Sequence, residues 1–278
     1  MDARPIGVFD SGLGGLTTVK KLAEFMPGED IIYLGDTGRV PYGSRSRETI
    51  IKYAGQDAAF LAGFDIKAMV IACNTACSVA YDLLDNVYNI PVYEVVSAPA
   101  KAAAILTKNS RIGVIGTAAT IRSGAYEDAI RKIAPELQVF STSCPLFVPL
   151  AENGRIDAND IAALAIAEDY LAGLRESGID TLILGCTHYP LLRDVISKVM
   201  GSGVTLIDSG AETAKLVAED LYAKGMTSTS GAGEIESLVS VIGTIRYFVT
   251  DSIEGFSELA SRFLESDVHG MVEQITLE

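Results

Sequence analysis

Two cysteines, Cys73 and Cys186, stand where strands of a parallel sheet would end, and both could carry acid–base chemistry. Each follows a short apolar run, 69–72 and 182–184, and each precedes polar residues. A buried cysteine usually packs as a small apolar side chain. Ahead of a helix, however, the helix dipole lowers the pKa of a thiol from about 8.5 and favours the thiolate. We therefore interpret both residues as reactive thiols and expect a lowered pKa for Cys73.

Two thiols on facing strand ends could invert a carbon centre. A thiolate removes a proton from one face of the carbon while a thiol delivers a proton to the other face, and the roles exchange in the reverse direction. The α-proton of an amino acid is far less acidic than a thiol, and each unit of pKa difference costs about 1.4 kcal/mol. Exclusion of water and fixed hydrogen-bond donors at the carboxylate must supply that difference.

The polar residues beside the two thiols are candidate ligand-binding groups. Asn74 and Thr75 can donate to a ligand from the turn that carries Cys73. His188 is one of two histidines in the sequence and lies two positions after Cys186. A single histidine is more often structural, but its place at a strand end favours a functional role.

The segment 10–15, Asp-Ser-Gly-Leu-Gly-Gly, follows the first predicted strand and precedes a helix. Its glycines allow close backbone approach, and a helix start offers N–H groups to an anion. The pattern G-x-G-x-x-G of a dinucleotide loop fails, because Thr17 stands at the third glycine position. Asp36, after the second strand, could imitate the acid that binds a ribose. A nucleotide site and a plain tight turn are therefore alternatives.

Zinc binding is a further alternative. Cys73, Cys77, Cys186 and His188 give a C-x3-C and a C-x-H spacing. Structural zinc sites prefer closely spaced pairs on tight turns, whereas Cys77 would lie one turn inside a helix. We predict no metal site and interpret Cys77 and Cys144 as ordinary buried thiols.

Pyridoxal phosphate would require a lysine that forms a Schiff base. Lysines such as Lys20, Lys52 and Lys132 lie in helical or connecting stretches, and none follows a strand as the two cysteines do. We therefore expect no cofactor.

The elements that must position these residues alternate between strand and helix patterns. This alternation predicts an α/β protein with parallel sheets flanked by helices, in which ligands bind at the carboxyl ends of the strands. The predicted strands are Ile6–Phe9, Ile31–Leu34, Met69–Ala72, Val92–Val96, Ile112–Ile115, Val139–Ser141, Leu182–Leu184, Thr205–Ile207 and Thr244–Val249. The predicted helices include Leu16–Phe25, Thr49–Ala62, Ala125–Ile133, Asp160–Glu176 and Ala211–Lys224.

Two pairs of segments indicate an internal repeat. Segment 6–11 resembles 112–117, and 69–75 resembles 182–188, including a shared cysteine followed by two polar residues. Any two strands of such sheets look alike, but this shared ending favours two similar domains with an active site in the cleft between them. The predicted domains are residues 1–97 plus 208–278 for the first and residues 98–207 for the second.

The composition excludes two classes of partner. The formal net charge of −14 is opposite to the cationic field that nucleic-acid binding needs, and it disfavours anionic membranes. No apolar run reaches the roughly 18 residues of a membrane span, and no signal-peptide pattern is present. We therefore expect a cytoplasmic protein with reduced thiols. An anionic substrate would have to be held by local donors.

Five motifs, spread over nearly the whole chain, resemble those of the glutamate racemase family and follow the same order. Together they are very specific, although each is modest alone. Related aspartate racemases share the two cysteines but typically carry an acidic residue where His188 stands, so the resemblance favours glutamate. The motifs are Phe9-Asp-Ser-Gly-Leu-Gly-Gly15, Gly35-Asp-Thr-Gly-Arg-Val-Pro-Tyr-Gly43, Ala72-Cys-Asn-Thr-Ala76, Cys144-Pro-Leu-Phe-Val-Pro-Leu-Ala-Glu152 and Gly185-Cys-Thr-His-Tyr-Pro190.

The resemblance implies that Cys73 and Cys186 are an alternating acid and base that work without a cofactor. It implies that Asp10 assists the first thiol and that Glu152 and His188 assist the second. The substrate-binding positions that match the family are Asp10, Ser11, Tyr42, Gly43, Asn74, Thr75, Thr187 and His188, with Thr117 and Thr120 on a matching loop.

The implied function is an isomerase that interconverts L-glutamate and D-glutamate and supplies D-glutamate for peptidoglycan, with a homodimer as the expected assembly. Hydroxyl, amide and backbone N–H donors of the matched positions could hold a dicarboxylate without lysine or arginine. Racemisation of aspartate or another amino acid is one alternative. Amino-acid binding without turnover is the other, and it would be marked by a missing thiol, whereas both thiols are present.

Overall fold

Two parallel sheets organise the chain, whose computed structural model describes residues 1–228, 242–266, 268 and 270–277. The first sheet has the order β10-β9-β2-β1-β3-β4, and the second has the order β6-β5-β7-β8. Every strand pair is parallel. The strands are β1 Ile6–Asp10, β2 Ile31–Gly35, β3 Ala68–Ile71, β4 Val92–Glu94, β5 Arg111–Gly116, β6 Gln138–Ser143, β7 Thr181–Gly185, β8 Thr205–Asp208, β9 Ile245–Val249 and β10 Val272–Gln274.

Helices connect the strands, as the alternating pattern predicts. Side chains cap several of them: Ser46, Thr117 and Asp160 each accept a hydrogen bond from a backbone N–H in the first helical turn. Such caps satisfy N–H groups that have no helical acceptor. The helices are α1 Leu16–Phe25, α2 Arg47–Ala62, α3 Asn74–Asp85, α4 Ser97–Leu106, α5 Ala118–Ser123, α6 Ala125–Ile133, α7 Phe147–Glu152, α8 Ile161–Glu176, α9 Arg193–Met200, α10 Ser209–Ala223 and α11 Ile253–Leu264, with 3-10 turns at Tyr42–Ser44 and Tyr189–Leu192.

The central strands are buried on both faces. In β1, Val8 and Phe9 point to opposite sides and enter different core clusters. Both faces are therefore covered by helices, which explains the continuous apolar runs of the central strands. The cluster that holds Phe9 also includes Val114 and Ile183 of the second sheet, so the two sheets share part of one core.

The predicted fold class is confirmed, and each of the nine predicted strands overlaps an observed one. Strand β10 was not predicted, because it is short and only Val272 of its three residues is buried. Cys73 follows β3, which pairs with β1, and Cys186 follows β7, which pairs with β5. The domain boundaries stay a prediction. None of the helices in the described ranges is both long enough and apolar enough to cross a membrane.

A buried ion pair fixes the amino-terminal side of the first sheet. The Lys67 ammonium contacts a Glu29 carboxylate oxygen, and both side chains are almost fully buried. Lys67 also donates to the carbonyl of Asp2 at 2.7 Å. The second oxygen of Glu29 accepts the N–H of Ser228 at 2.8 Å. One pair thus joins the chain start, the approach to β2 and the segment after α10.

We expect Lys67→Met to lower the free energy of unfolding by about 3–5 kcal/mol, because it leaves the buried Glu29 carboxylate without its cation. The double variant Lys67→Met with Glu29→Leu should recover part of that loss. Arg131→Met is the matched control: its partner Asp128 is exposed, so the loss should stay below about 1 kcal/mol. Urea unfolding measures all three, and a Lys67→Met protein as stable as the control would contradict this role.

Candidate active site

A cavity of about 640 Å³ lies where the carboxyl ends of the two sheets meet. Its volume falls in the range of roughly 300–1,000 Å³ typical of small-molecule sites. Residues from both sheets line it, including Cys73 and Cys186. The lining residues are Ser11, Val40, Pro41, Tyr42, Gly43, Ser44, Cys73, Asn74, Thr75, Thr117, Ala118, Arg122, Pro145, Val148, Pro149, Glu152, Cys186, Thr187 and His188.

The Cys73 thiol is buried and donates to the hydroxyl of Ser11 at 3.3 Å. Burial and the neighbouring carboxyl of Asp10 raise the pKa of Cys73 to about 12, although backbone N–H groups of Ser11 and Ala76 act against this rise. The expectation of a lowered pKa is therefore wrong. Loss of hydration and a nearby negative charge outweigh the helix start behind the cysteine.

Asp10 lies beneath Cys73, at the end of β1. One of its oxygens accepts the N–H of Gly12 at 3.0 Å, and the other has no hydrogen-bond partner among the described residues. Burial raises the pKa of Asp10, and the positive charge of His188 opposes the rise. Gly15 makes this packing possible, since a Cβ at that position would lie 2.6 Å from the Cβ of Asp10.

The Cys186 side carries a different set of groups. Nε2 of His188 lies 3.0 Å from a carboxylate oxygen of Glu152, which comes from the end of α7. Burial lowers the pKa of His188, but hydrogen bonds to Cys186 and Glu152 more than compensate and raise it to about 10. This raised pKa favours the imidazolium at neutral pH, with Nε2 against the Glu152 carboxylate and Nδ1 3.4 Å from the hydroxyl of Thr187.

The environments of the two thiols differ in charge. A buried carboxyl group, Asp10, adjoins Cys73, whereas a cation, His188, adjoins Cys186. The two sides are also linked across the cleft, because the hydroxyl of Thr17 in α1 donates to the carbonyl of Thr187 at 3.0 Å. The cavity therefore offers one thiol that favours its protonated form and one that adjoins a fixed positive charge.

Three threonine hydroxyls form a cluster at the wall of the cavity. The Thr75 hydroxyl lies 3.0 Å from that of Thr117 and 3.4 Å from that of Thr120, and the last two are 3.0 Å apart. Gly43 approaches the same place, since a Cβ on it would lie 3.1 Å from the Cβ of Thr117. The cluster combines both sheets and can donate hydrogen bonds to an anionic group.

Asn74 differs from its predicted use. Its amide nitrogen donates to the carbonyl of Val95 at 3.3 Å and to the hydroxyl of Tyr126 at 2.8 Å. Because a carbonyl can only accept, this orientation of the amide is fixed. Both amide hydrogens are therefore used inside the protein, which leaves the backbone N–H at the start of α3 as the donor for a ligand.

The cavity brings together all but two of the predicted site residues. Asp10 lies behind Cys73, and Thr120 lies behind Thr117. The prediction missed Arg122, which among the described lining residues is the only arginine or lysine. A signal for it exists: Ala118 and Arg122 are four residues apart in α5 and so share one face of the helix. Tyr126 carried no comparable signal.

Comparisons with known proteins agree on one family. The model of the Asp/Glu/Hydantoin racemase family matches residues 16–217. The glutamate racemase of Geobacter metallireducens is 49% identical over 100% of this chain and 98% of its own length. A glutamate racemase structure from Francisella tularensis in complex with D-glutamate has 39% identity and a TM-score of 0.88, over 100% of this chain and 99% of that one. The isoform RacE1 from Bacillus anthracis has 36% identity and a TM-score of 0.90, over 100% and 98%.

We expect His188 to titrate near pH 10 and Glu152→Gln to lower that pKa, because the variant removes a carboxylate hydrogen-bonded to the imidazolium. Imidazole ¹⁵N shifts measured by NMR against pH report the pKa directly. His269, which lies outside the described residues, can be replaced by Gln to leave one histidine signal. Glu168→Gln, on the surface of α8, is the control. A wild-type value near 6.5 would disprove the imidazolium.

Proposed function

The chain belongs to the Asp/Glu/Hydantoin racemase family, and from that membership we propose that it interconverts L-glutamate and D-glutamate by proton transfer between Cys73 and Cys186. The observation that carries the proposal is the position of the two cysteines, which line one cavity from two different sheets. A substrate carbon between the sulfurs would present one face to each.

The proposed reaction exchanges one proton at each face of the α-carbon. A thiolate takes the α-proton, and the electron pair of the broken C–H bond moves into the carboxylate, which becomes an enediolate. The opposite thiol then gives its proton to the other face, so that one thiol and one thiolate have exchanged places. In one direction Cys73, whose raised pKa favours the protonated form at neutral pH, serves as the acid and Cys186 as the base.

The unequal surroundings of the two thiols support separate helper roles. His188, hydrogen-bonded to Glu152, places a positive charge on the side of the cavity that carries Cys186. The buried carboxyl of Asp10 helps to raise the pKa of Cys73 and makes its thiolate a stronger base once formed. A stronger base reduces the pKa difference to the α-proton, which is the main barrier to the reaction.

The second carboxylate of glutamate needs donors in a chain of net charge −14. The threonine hydroxyls of the cluster, the backbone at Gly43 and the guanidinium of Arg122 supply them. These groups lie together on α3, α5 and the Tyr42–Ser44 turn, which favours a dicarboxylate over an amino acid with an apolar side chain.

The proposed chemistry needs free thiols at Cys73 and Cys186, and a reducing compartment keeps cysteines in that form. We therefore propose a cytoplasmic enzyme that supplies D-glutamate for peptidoglycan. The homodimer stays a prediction, which sedimentation equilibrium can test.

Incubation of L-glutamate or D-glutamate in deuterated buffer tests the proposed reaction. We expect the opposite enantiomer to form with deuterium at its α-carbon, and little reaction with aspartate. Absence of both exchange and inversion would leave an amino-acid-binding protein, and faster turnover of aspartate would change the substrate.

Single thiol variants test the two-base assignment. Cys73→Ser and Cys186→Ser should each lose racemisation by at least about 100-fold, the usual contribution of a positioned base, and any remaining exchange should favour opposite enantiomers. Cys77→Ser is the control, because a hydroxyl can replace its thiol in the bonds to Ile71 and Val95 outside the cavity. If either cavity variant racemised like the wild type, the assignment would be wrong.

Arg122→Gln should raise the KM for glutamate up to about fivefold, since an exposed ion pair is worth about 0.2–1 kcal/mol. The dependence of kcat/KM on salt should weaken in parallel, because screening acts on that charge. Arg131→Gln, on an exposed face of α6, is the control. An unchanged KM and salt dependence in Arg122→Gln would remove this arginine from substrate binding.

A further inference from the structure

A buried polar network lies behind the Tyr42–Ser44 turn, whose residues line the cavity. It joins Asp36 after β2, Arg39, Tyr42 and Asp57 of α2. The side chains of both aspartates are completely buried. Arg39 donates from Nε to Asp36 Oδ2 at 2.6 Å and from Nη2 to Asp57 Oδ1 at 2.9 Å. One guanidinium therefore faces two carboxyl groups.

The phenol of Tyr42 lies between the same two carboxyl groups. Its oxygen is hydrogen-bonded to Asp36 Oδ2 and lies 2.9 Å from Asp57 Oδ2. A phenol has a single hydrogen and can donate only one of these bonds. The other bond needs a hydrogen on a carboxyl oxygen, because two oxygens without hydrogen would repel each other. One of the two aspartates is therefore a carboxylic acid.

The partners of the two carboxyl groups decide which one holds the hydrogen. Asp36 accepts from Arg39, from the hydroxyl of Thr250 at 2.8 Å and from Tyr42. Thr250 itself accepts from the N–H of Gly38 at 2.8 Å, so its own hydrogen is directed at Asp36. Asp36 is surrounded by donors and suits the charged form, whereas Tyr42 is the one hydrogen-bond partner of Asp57 Oδ2 in the part of the chain that the structure describes.

We propose that Asp57 is a neutral carboxylic acid which donates from Oδ2 to Tyr42, that Tyr42 donates to Asp36, and that this relay positions the Tyr42–Ser44 turn for substrate binding. The electrostatics agree: burial, followed by the negative charge of Asp36, raises the pKa of Asp57 well above its usual value. Burial and both carboxyl groups also raise the pKa of Tyr42, so the phenol keeps its hydrogen.

Other groups face the relay from each element around it. Asp10, at the end of β1, adds negative charge and helps to raise the pKa of Asp57. From α2, Gln56 accepts a second Arg39 hydrogen bond at 2.6 Å, and the ring of Tyr53 lies 4.1 Å from the guanidinium carbon. Among the described residues, Arg39 is the one cation in contact with this set, and it faces both carboxyl groups, so ionisation of both aspartates would leave one negative charge uncompensated.

Loss of the Asp57 proton would break the relay at its first bond. Two oxygen acceptors would then compete for the single hydrogen of Tyr42, and the turn would lose its support. Gly43 packs so closely on Thr117 that a small shift of the turn changes the cavity wall. Asp57 is thus a positioning residue, and its effect belongs in KM rather than in kcat.

Asparagine variants at the two positions separate these roles. In Asp57→Asn the amide can donate to Tyr42 and accept from Arg39, so we expect a KM within about twofold of the wild type. Asp57→Ala removes the buried hydrogen bond and should raise KM about tenfold, with kcat little changed. Asp36→Asn removes the anion paired with Arg39 and should raise KM as well. A KM for Asp57→Asn as high as that of Asp57→Ala would overturn the relay.

A measurement of protonation completes the test. In ¹³C-aspartate-labelled protein at neutral pH, we expect a side-chain carboxyl resonance with the shift of a neutral acid that is assigned to Asp57 by its absence from Asp57→Asn. The ratio of the wild-type KM to the KM of Asp57→Asn should rise over the pH range in which this resonance disappears. A ratio is used because the substrate and the thiols titrate in both proteins, so that their effects cancel. Absence of the resonance at neutral pH would overturn the proposal. So would a KM ratio that changes with pH while the resonance stays unchanged.

The KM arm rests on the proposed glutamate racemisation, but the resonance does not involve glutamate. If neither enantiomer of glutamate is turned over but the acid resonance is present, the proposed function is rejected while the neutral state of Asp57 is supported. Normal turnover without the resonance would reject the relay alone.

Discussion

Burial of ionisable groups at the meeting point of two parallel sheets is the constraint on which the rest of the site depends. The loss of hydration at Cys73 and Asp10 raises the pKa of both groups, because a buried charge is costly. The same burial would lower the pKa of His188, and direct hydrogen bonds to Cys186 and Glu152 reverse the effect. The two sides of the cavity therefore differ in charge: desolvation favours the protonated forms of Cys73 and Asp10, whereas hydrogen bonds favour the cationic form of His188.

Parallel topology explains why these groups meet. The carboxyl ends of parallel strands lie at one edge of a sheet. In each sheet a cysteine follows an inner strand, β3 in the first sheet and β7 in the second. Contacts across the cleft then join the halves: Thr75 meets Thr117, Asn74 meets Tyr126, and Thr17 meets Thr187. Each of these bonds includes or adjoins a residue that lines the cavity. The cavity wall is therefore part of the packing between the sheets.

Local patterns in the sequence were enough to predict the parallel strands and the position of the two cysteines at strand ends, because both depend on short apolar runs and the residues that end them. The pKa of Cys73 could not be predicted in the same way, since the helix start is visible in the sequence while the depth of burial, the largest cause of the raised pKa, is not. The resemblance implied Asp10 as a helper of this thiol, but no local spacing shows how its charge acts on the pKa. Tyr126 and Asp57 act through contacts between distant segments. No spacing marks them, so they emerge only from the fold.

The acidity of the chain bears on substrate choice. A net charge of −14 works against an anionic ligand such as glutamate at long range, yet screening confines that field to about 8 Å at physiological salt. Inside the cavity, the local potential combines hydroxyl and backbone donors with the guanidinium of Arg122 and the His188–Glu152 pair. Keeping Asp57 neutral contributes to the same end, because an ionised Asp57 would place another negative charge directly behind the turn that receives the substrate. A neutral carboxyl group behind the cavity wall and hydrogen-bond donors inside the cavity thus both make the site more favourable for an anionic substrate.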